Sequence, residues 1–283
     1  MREIAIFTDS SADLDREYRE EHNILSIAHY VRFEYEFYLD GITLDTDDLY
    51  HKIKETRKLP TTAPATDEDY MMNFDRYLDF NYDIIYIGVG SKFSMAFQNA
   101  LMAQQEIDAK RIFVIDTNNL SSGIGILVCK AAKMRDQGFS IQKIYKEIRA
   151  LVPKVQSYFA LRTIDNLRKS GRANHLMNVY TRLFFIKPLI KIEQGELILY
   201  KKSFGTMRRA IREMLRELFE NMIYIDTDFI MVTHSLANKE VLYMIGLIKK
   251  RMPNAHIVEN KAGCVISTHC GPGAVGLTYI KSI

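Results

Sequence analysis

Short apolar runs of strand length alternate with longer stretches of helical period along the first half of the chain. "EIAIFT" (3–8), "DIIYIGV" (83–89) and "RIFVID" (111–116) are compact apolar runs that predict buried strands, and "ILSIAHYVRF" (24–33) predicts another. Between them, "TDDLYHKIKETRK" (46–58), "TDEDYMMNFDRYL" (66–78), "SMAFQNALMAQQEI" (94–107) and "GIGILVCKAAKMRDQG" (123–138) carry the spacing of amphipathic or buried helices. Boundary residues agree with this division. Asp9-Ser10-Ser11 can cap a helix after the first strand, Thr46 opens the next helix, and Thr66 with Asp69 three residues on approaches a capping box. Gly138 ends a long helix, and Ser140 caps another that runs to about Lys154. A βαβα rhythm of this kind predicts a mainly parallel sheet flanked by helices.

After Pro153 the rhythm changes. "SYFAL" (157–161) predicts a strand, "RTIDNLRKSG" (162–171) a short helix, and "LIKIEQGELILYKKS" (189–203) an antiparallel hairpin turning at Gln194-Gly195. A helix (206–221), a strand (228–233), a helix (238–251) and two final strands follow, with the run 263–267 read as a strand leading into "HCGPG". The expectation is two α/β domains. The first, residues 1–155, has a mainly parallel sheet flanked by helices, and the second, residues 156–283, has a mixed sheet with helices and a ligand site at the interface. No internal repeat or low-complexity stretch is present.

Composition narrows the function. Apolar residues at 47% and charged ones at 26% describe a soluble globular protein, and a net charge of +3 does not suit nucleic acid or an anionic membrane as the main partner. Neither a signal peptide nor a run of eighteen uncharged apolar residues is seen, so a cytoplasmic protein without membrane insertion is expected. Of the three cysteines, Cys129 fits a buried apolar position. Cys264 and Cys270 flank His269 but make only three of the four ligands of a usual zinc site, so no metal is expected. Thirteen methionines and no tryptophan point to an adaptable core, a compositional hint of a pocket for a flexible apolar ligand.

Ligands of open α/β sheets gather at the carboxyl ends of strands. Four segments fall there: Thr8 to Ser11, "PTTAPAT" (60–66) with Thr61 and Thr62, "GVGSKFSMAFQ" (88–98), and the His269 loop. The third has the physics of an anion site. Its glycines admit close backbone approach, a helix opens near Ser94, and the Ser94 hydroxyl can bond an anionic oxygen. A dinucleotide fingerprint would need a third glycine where Phe93 stands, and no GxxxxGK[ST] occurs. For His269 three readings stand: a base for a Ser94 nucleophile oriented by Asp9, a neutral donor to a carboxylate, or a structural histidine. The first makes a small-molecule hydrolase or phosphotransferase, but the elbow glycines it wants at 92 and 96 are Lys92 and Ala96. Basic residues gather in the second half, including Arg162, Arg172, Lys202, Arg208, Arg212 and Arg216, and as a group suit an acidic protein partner.

Seven segments, taken in order, resemble the DegV family across essentially the whole chain. They are "FTDSSADL", "LPTTAPAT", "SKFSMAFQNA", "DTNNLSSGIG", "LRKSGR", "IKPLI" and "HCGPGA". The resemblance implies two α/β domains with a long-chain fatty acid bound between and beneath them. It also implies a bacterial carrier rather than an enzyme, which holds the acyl chain while a fatty acid kinase phosphorylates the carboxylate for phospholipid metabolism. By position, the family's carboxylate-binding serine matches Ser94, the threonine of its threonine loop Thr61 with Thr62 beside it, and its closing histidine His269. Arg172 matches the Arg of its G-R motif and, with Lys202, is expected where the kinase docks. Phe93, Phe97, Ile124 and Leu127 are expected near the acyl tunnel. The bound fatty acid is the expected ligand, with no cofactor and a monomeric chain. Departures from the family pattern are Ala63 and Ala65 in the threonine loop, and Lys92, Met95-Ala96 and Phe97 in the serine loop.

Overall fold

In a computed structural model the described residues are 2–172 and 185–282. Two α/β domains are present, as the patterning predicts. A four-stranded, fully parallel sheet runs in the order β2 (Ile24–Ile27), β1 (Ile4–Asp9), β6 (Asp83–Gly88), β7 (Ile112–Asp116). Its inner strands are apolar and almost wholly buried, as a parallel strand covered on both faces must be. Helices α3 (Asp67–Asp79) with α4 (Ala96–Ile107), and α5 (Ser122–Asp136) with α6 (Ile141–Leu151), pack against it as two pairs.

The second sheet has six strands: β10 (Glu196–Phe204), β9 (Ile186–Glu193), β8 (Val155–Ala160), β13 (Ala274–Ile280), β11 (Ile230–Ser235) and β12 (Ile257–Lys261). It is mixed, since only β11 and β12 run parallel. The β9–β10 turn sits at Gln194 and Gly195 with φ of 50° and 75°, the left-handed pair that matches strand twist in a tight hairpin. Helices α8 (Met207–Glu220) and α9 (Asn238–Arg251) cover this sheet. Tyr243 of α9 receives two of the arginines of α8: Arg208 lies 5.0 Å over its ring and Arg212 donates to its hydroxyl at 2.9 Å. Helix α5 packs on both sheets, touching β1 and β6 as well as β8, β11 and β13. Ile124 and Leu127 are completely buried there, in a core that also takes in Phe229, Met231 and Ile280.

Three boundaries differ from the sequence expectation, whereas the helix expected to open at Thr46 does so. The run 24–33 is two strands, because the chain leaves the parallel sheet at Ala28-His29. It then forms β3 (Tyr30–Phe33) of a small antiparallel sheet with β4 (Glu36–Leu39) and β5 (Thr61–Ala63). The threonine segment between helices is thus partly an edge strand, paired to β3. Helix α2 (Thr46–Thr56) is capped by Asp45, while the Thr46 hydroxyl donates to Ala262 O at 2.6 Å. The run 263–267 is not a strand: residues Cys264–Cys270 form a helix. Its first N–H groups are met by the buried carboxylates of Asp13 and Asp40, partners more than two hundred residues away, which a short apolar run cannot reveal. With α1 (Arg16–Glu21) and α7 (Asp165–Lys169) introduced, this helix is α10. His269 therefore projects from the last turn of a helix, not from a strand end.

Candidate functional site

A cavity of about 100 Å³ lies where α10, the β6–α4 loop, β5 and the sheet strands β8 to β10 meet. Its wall is mostly apolar: Val89 and Phe93 from the loop, Leu120 before α5, Phe159, Leu161, Leu167, Ile190 and Leu197 from the second domain, and Val265 and Ile266 from α10. At roughly 10–15 Å³ per molecule that space would take about seven to ten waters, each wanting two to four polar partners that this wall does not offer.

The polar groups are few. Thr62, Ser94, Arg172 and His269 line the cavity, together with Ser11 and His29. The pitch of α10 explains part of this: Val265 and His269 are four residues apart and so share a helix face. His269 Nε2 lies 3.0 Å from Thr62 Oγ1, and its Nδ1 has no hydrogen-bond partner among the described residues. Burial, and secondly the nearby positive charge of Arg172, push this imidazole down to about 4, so it is neutral at neutral pH. Ser94 precedes α4, and its Oγ accepts from Ala96 N–H at 3.2 Å.

Behind Ser11 and His29 sits a saturated buried carboxylate. Asp9 accepts from Ser11 N–H at 3.0 Å and from the Ser11 hydroxyl, from Tyr86 OH at 2.8 Å and from Val89 N–H at 2.8 Å. His29 Nδ1 accepts from Ala65 N–H at 3.1 Å, which assigns the ring proton to Nε2, 3.5 Å from Asp9. Asp9 is thus committed to Ser11, Tyr86 and Val89 rather than to His269, and His269 bonds Thr62 rather than Ser94. The geometry of a serine–histidine–aspartate relay is not assembled from these three residues. Burial raises the Cys129 and Cys270 thiols to about 12, and raises Cys264, whose Sγ donates to Leu44 O at 3.2 Å. Among the described residues no group of three or more His, Cys, Asp or Glu side chains could hold a metal ion.

The cavity shares Phe93, Ser94, Arg172 and Leu197 with a surface groove that also takes in Ser91, Lys92, Met95, Gly171, Gly195 and Glu196. Across that groove Lys92 Nζ donates to Gln194 O at 2.9 Å and to Glu196 Oε1 at 3.3 Å, tying the serine loop to the β9–β10 turn. The glycines of "HCGPG" have a steric reason: Gly273, at φ 81°, lies so close to Arg162 that any side chain would collide with it.

Of the residues singled out from the sequence, Thr62, Phe93, Ser94, Arg172 and His269 line this one cavity. Thr61 does not; it is the exposed neighbour of Thr62 on β5, and successive strand residues face opposite ways. Phe97 packs on the first core and borders a different, more polar cleft with Asn118, Tyr145 and Lys191. Ile124 and Leu127 are core, and Lys202 is exposed on β10 opposite Pro188. The lining residues not singled out from the sequence come chiefly from the second domain and from α10. Only a helical reading of 264–270 would have put Val265 and Ile266 beside His269.

Comparison with known proteins follows the same outline. A family model described as "Uncharacterised protein, DegV family" matches residues 3–282. A DegV domain-containing protein of Clostridium perfringens is 29% identical over 283 residues, covering 99% of both chains. A Thermotoga maritima protein named "Fatty acid-binding protein" is 27% identical over 283 residues, covering 96% of each. Among solved structures, DegV of Bacillus subtilis, described as a fatty acid binding protein, superposes with a TM-score of 0.87 at 26% identity, covering 99% of this chain and all of that one. The Streptococcus pneumoniae Fatty Acid Kinase (Fak) B3 protein loaded with linoleic acid shares the fold, with a TM-score of 0.86 at 21% identity and 99% coverage of both chains.

Proposed function

The chain belongs to the DegV family, and from that premise we propose that it binds one long-chain fatty acid in the cavity and presents the carboxylate to a fatty acid kinase. The observation that carries this reading is the cavity's uneven polarity. An apolar, poorly hydratable interior ends in the Thr62–His269 pair, with Ser94 and Arg172 continuing into the surface groove. An alkyl chain suits the interior. At ~0.8 kcal/mol per buried CH₂ a sixteen-carbon chain would gain on the order of 10 kcal/mol, but it is several times larger than the ~100 Å³ present, so its entry requires the apolar walls to part. The head group then needs orientation more than affinity. The Ser94 and Thr62 hydroxyls donate to the carboxylate, the Arg172 guanidinium offsets its charge, and the neutral imidazole donates Nε2–H to Thr62 Oγ1 and so orients that hydroxyl. A carboxylate held at the groove stays reachable by a partner enzyme that supplies the phosphoryl group.

Mass spectrometry of the purified protein, native and after organic extraction, tests the reading. One fatty acid per chain is expected, lost or weakened in Ser94→Ala and His269→Ala. A wild-type protein that comes empty and takes up no added oleate overturns it.

A further inference from the structure

The helix that carries His269 is too short to define its own position. Seven residues make barely two turns, and isolated helices of that length are not stable in water. Its placement rests on ties to other parts of the chain, some through Ser267 in its middle, where Tyr50 OH donates to Ser267 O at 3.2 Å and Ser235 Oγ lies 2.8 Å from Ser267 Oγ, and others at its first turn. Asp40, from the connection between β4 and α2, accepts Cys264 N–H on Oδ1 at 2.6 Å and Val265 N–H on Oδ2 at 3.3 Å. Asp13, beside the first strand's carboxyl end, accepts Gly263 N–H at 2.8 Å and the Ser121 hydroxyl at 2.5 Å. Both carboxylates are almost fully buried, so these N–H groups are what they have in place of water. At the other end, Asn166 Nδ2 donates to Thr268 O at 3.0 Å.

We propose that Asp40 is the positioning residue for His269: its two oxygens fix the first turn of α10, and the rigid helix carries that registration to the imidazole at its last turn. The distance is short enough for this to work, since five residues of helix, from Cys264 to His269, rise only ~7.5 Å. Gly263 is the second half of the device. A Cβ there would stand 3.0 Å and 3.1 Å from the two Asp40 oxygens, closer than ordinary van der Waals contact, so a side chain at 263 would push the carboxylate away from the helix start by a few tenths of an ångström. An asparagine at 40 would place an NH₂ against one of the two N–H groups and keep only one bond. This role rests on the fatty-acid reading for its consequence but not for its geometry.

The test is the titration of His269, followed by NMR of ring ¹⁵N and ¹H signals assigned by their loss in His269→Gln. The groups facing the ring are Arg172, Thr62 and, on its own helix, Cys270. Removing a negative charge from the interior would by itself push the imidazole's midpoint down, whereas letting the helix shift toward water pushes it up. Asp40→Asn is therefore expected to raise the midpoint from about 4 to about pH 5 or above. Gly263→Ala, which changes no charge, is expected to do the same. In both, bound oleate should leave about tenfold faster, an effect of ~1.4 kcal/mol. A midpoint unchanged or lowered in Gly263→Ala overturns the role, and this variant decides alone where Asp40→Asn does not fold. If the wild-type protein binds no oleate, the functional reading fails, while the titration still decides whether Asp40 positions His269.

Discussion

His269 is held neutral by its surroundings, and that has a measurable consequence at the level of the single residue. Its folded value of about 4 lies below the ordinary value of 6.5. Between those limits the unfolded chain binds a proton that the native ring refuses, so native stability is present above about pH 6.5 and is lost as pH falls toward 4. From pH 7 to pH 5 this single group removes about 2 kcal/mol. Asp13 and Asp40 act in the opposite sense, since burial raises both and each favours the native state as it protonates. The comparison must therefore be with a variant that changes the histidine alone. Chemical denaturation of wild type and His269→Gln at both pH values should show the wild type losing about 2 kcal/mol more across the interval. Equal losses would mean that the native imidazole titrates normally. Binding of a carboxylate should draw a proton toward the same ring, so retention of a fatty acid should weaken less in acid than a simple charge pairing would require.

Among the elements, the serine loop and the β9–β10 turn are joined over the groove by Lys92. Both partners are about half exposed, so the ion pair itself contributes at most about 1 kcal/mol and is screened by salt. Its effect belongs to kinetics. The loop contributes Phe93 and Ser94 to the cavity and the hairpin contributes Leu197, so parting them widens the way in. Lys92→Ala should shift the melting midpoint little while speeding transfer of bound oleate to acceptor vesicles about two- to fivefold at low salt, a ratio that shrinks at high salt as the wild-type pair is screened. An exchange rate unchanged by the substitution would show that the ligand leaves by another route.

For the whole molecule, α5 decides how the two domains respond to heat. It lies between the sheets, and the first core takes Phe229, Met231 and Ile280 from the second domain. The Ser122 and Thr233 hydroxyls and the Ser157–Asn119 bond of 2.8 Å join the same surfaces. Domains that share a core at this depth should not unfold separately. Calorimetry is expected to give one transition, and oleate at a hundred times its Kd should add about 2.7 kcal/mol to its stability. Two transitions well apart in temperature would show that the halves are independent, and a single one unmoved by oleate would count against the ligand.

Periodicity and caps determined most of the architecture: the parallel first sheet, the hairpin at Gln194-Gly195, the Thr66–Asp69 capping box and the helices α6 and α9. The hairpin turn, the capping box and the helix periods depend on interactions within a few residues, which sequence displays directly, and the parallel sheet follows from the alternation of strands with helices. Ser94, Thr62 and His269 are likewise legible as one site through their neighbours and the family's motifs, and the fold brings them to one cavity together with Arg172, which the family's motifs place at a partner's docking surface. What the tertiary structure alone decided was the setting of these residues. Residues 264–270 are a helix because two distant carboxylates take its first N–H groups. Ile124 and Leu127 are core because α5 is covered on both sides, whereas Val265, Ile266 and Leu197 line the cavity because long-range packing brings their elements around it. An apolar side chain looks the same in a sequence whether its neighbour is another side chain or a space, and only the packing of distant segments makes the difference.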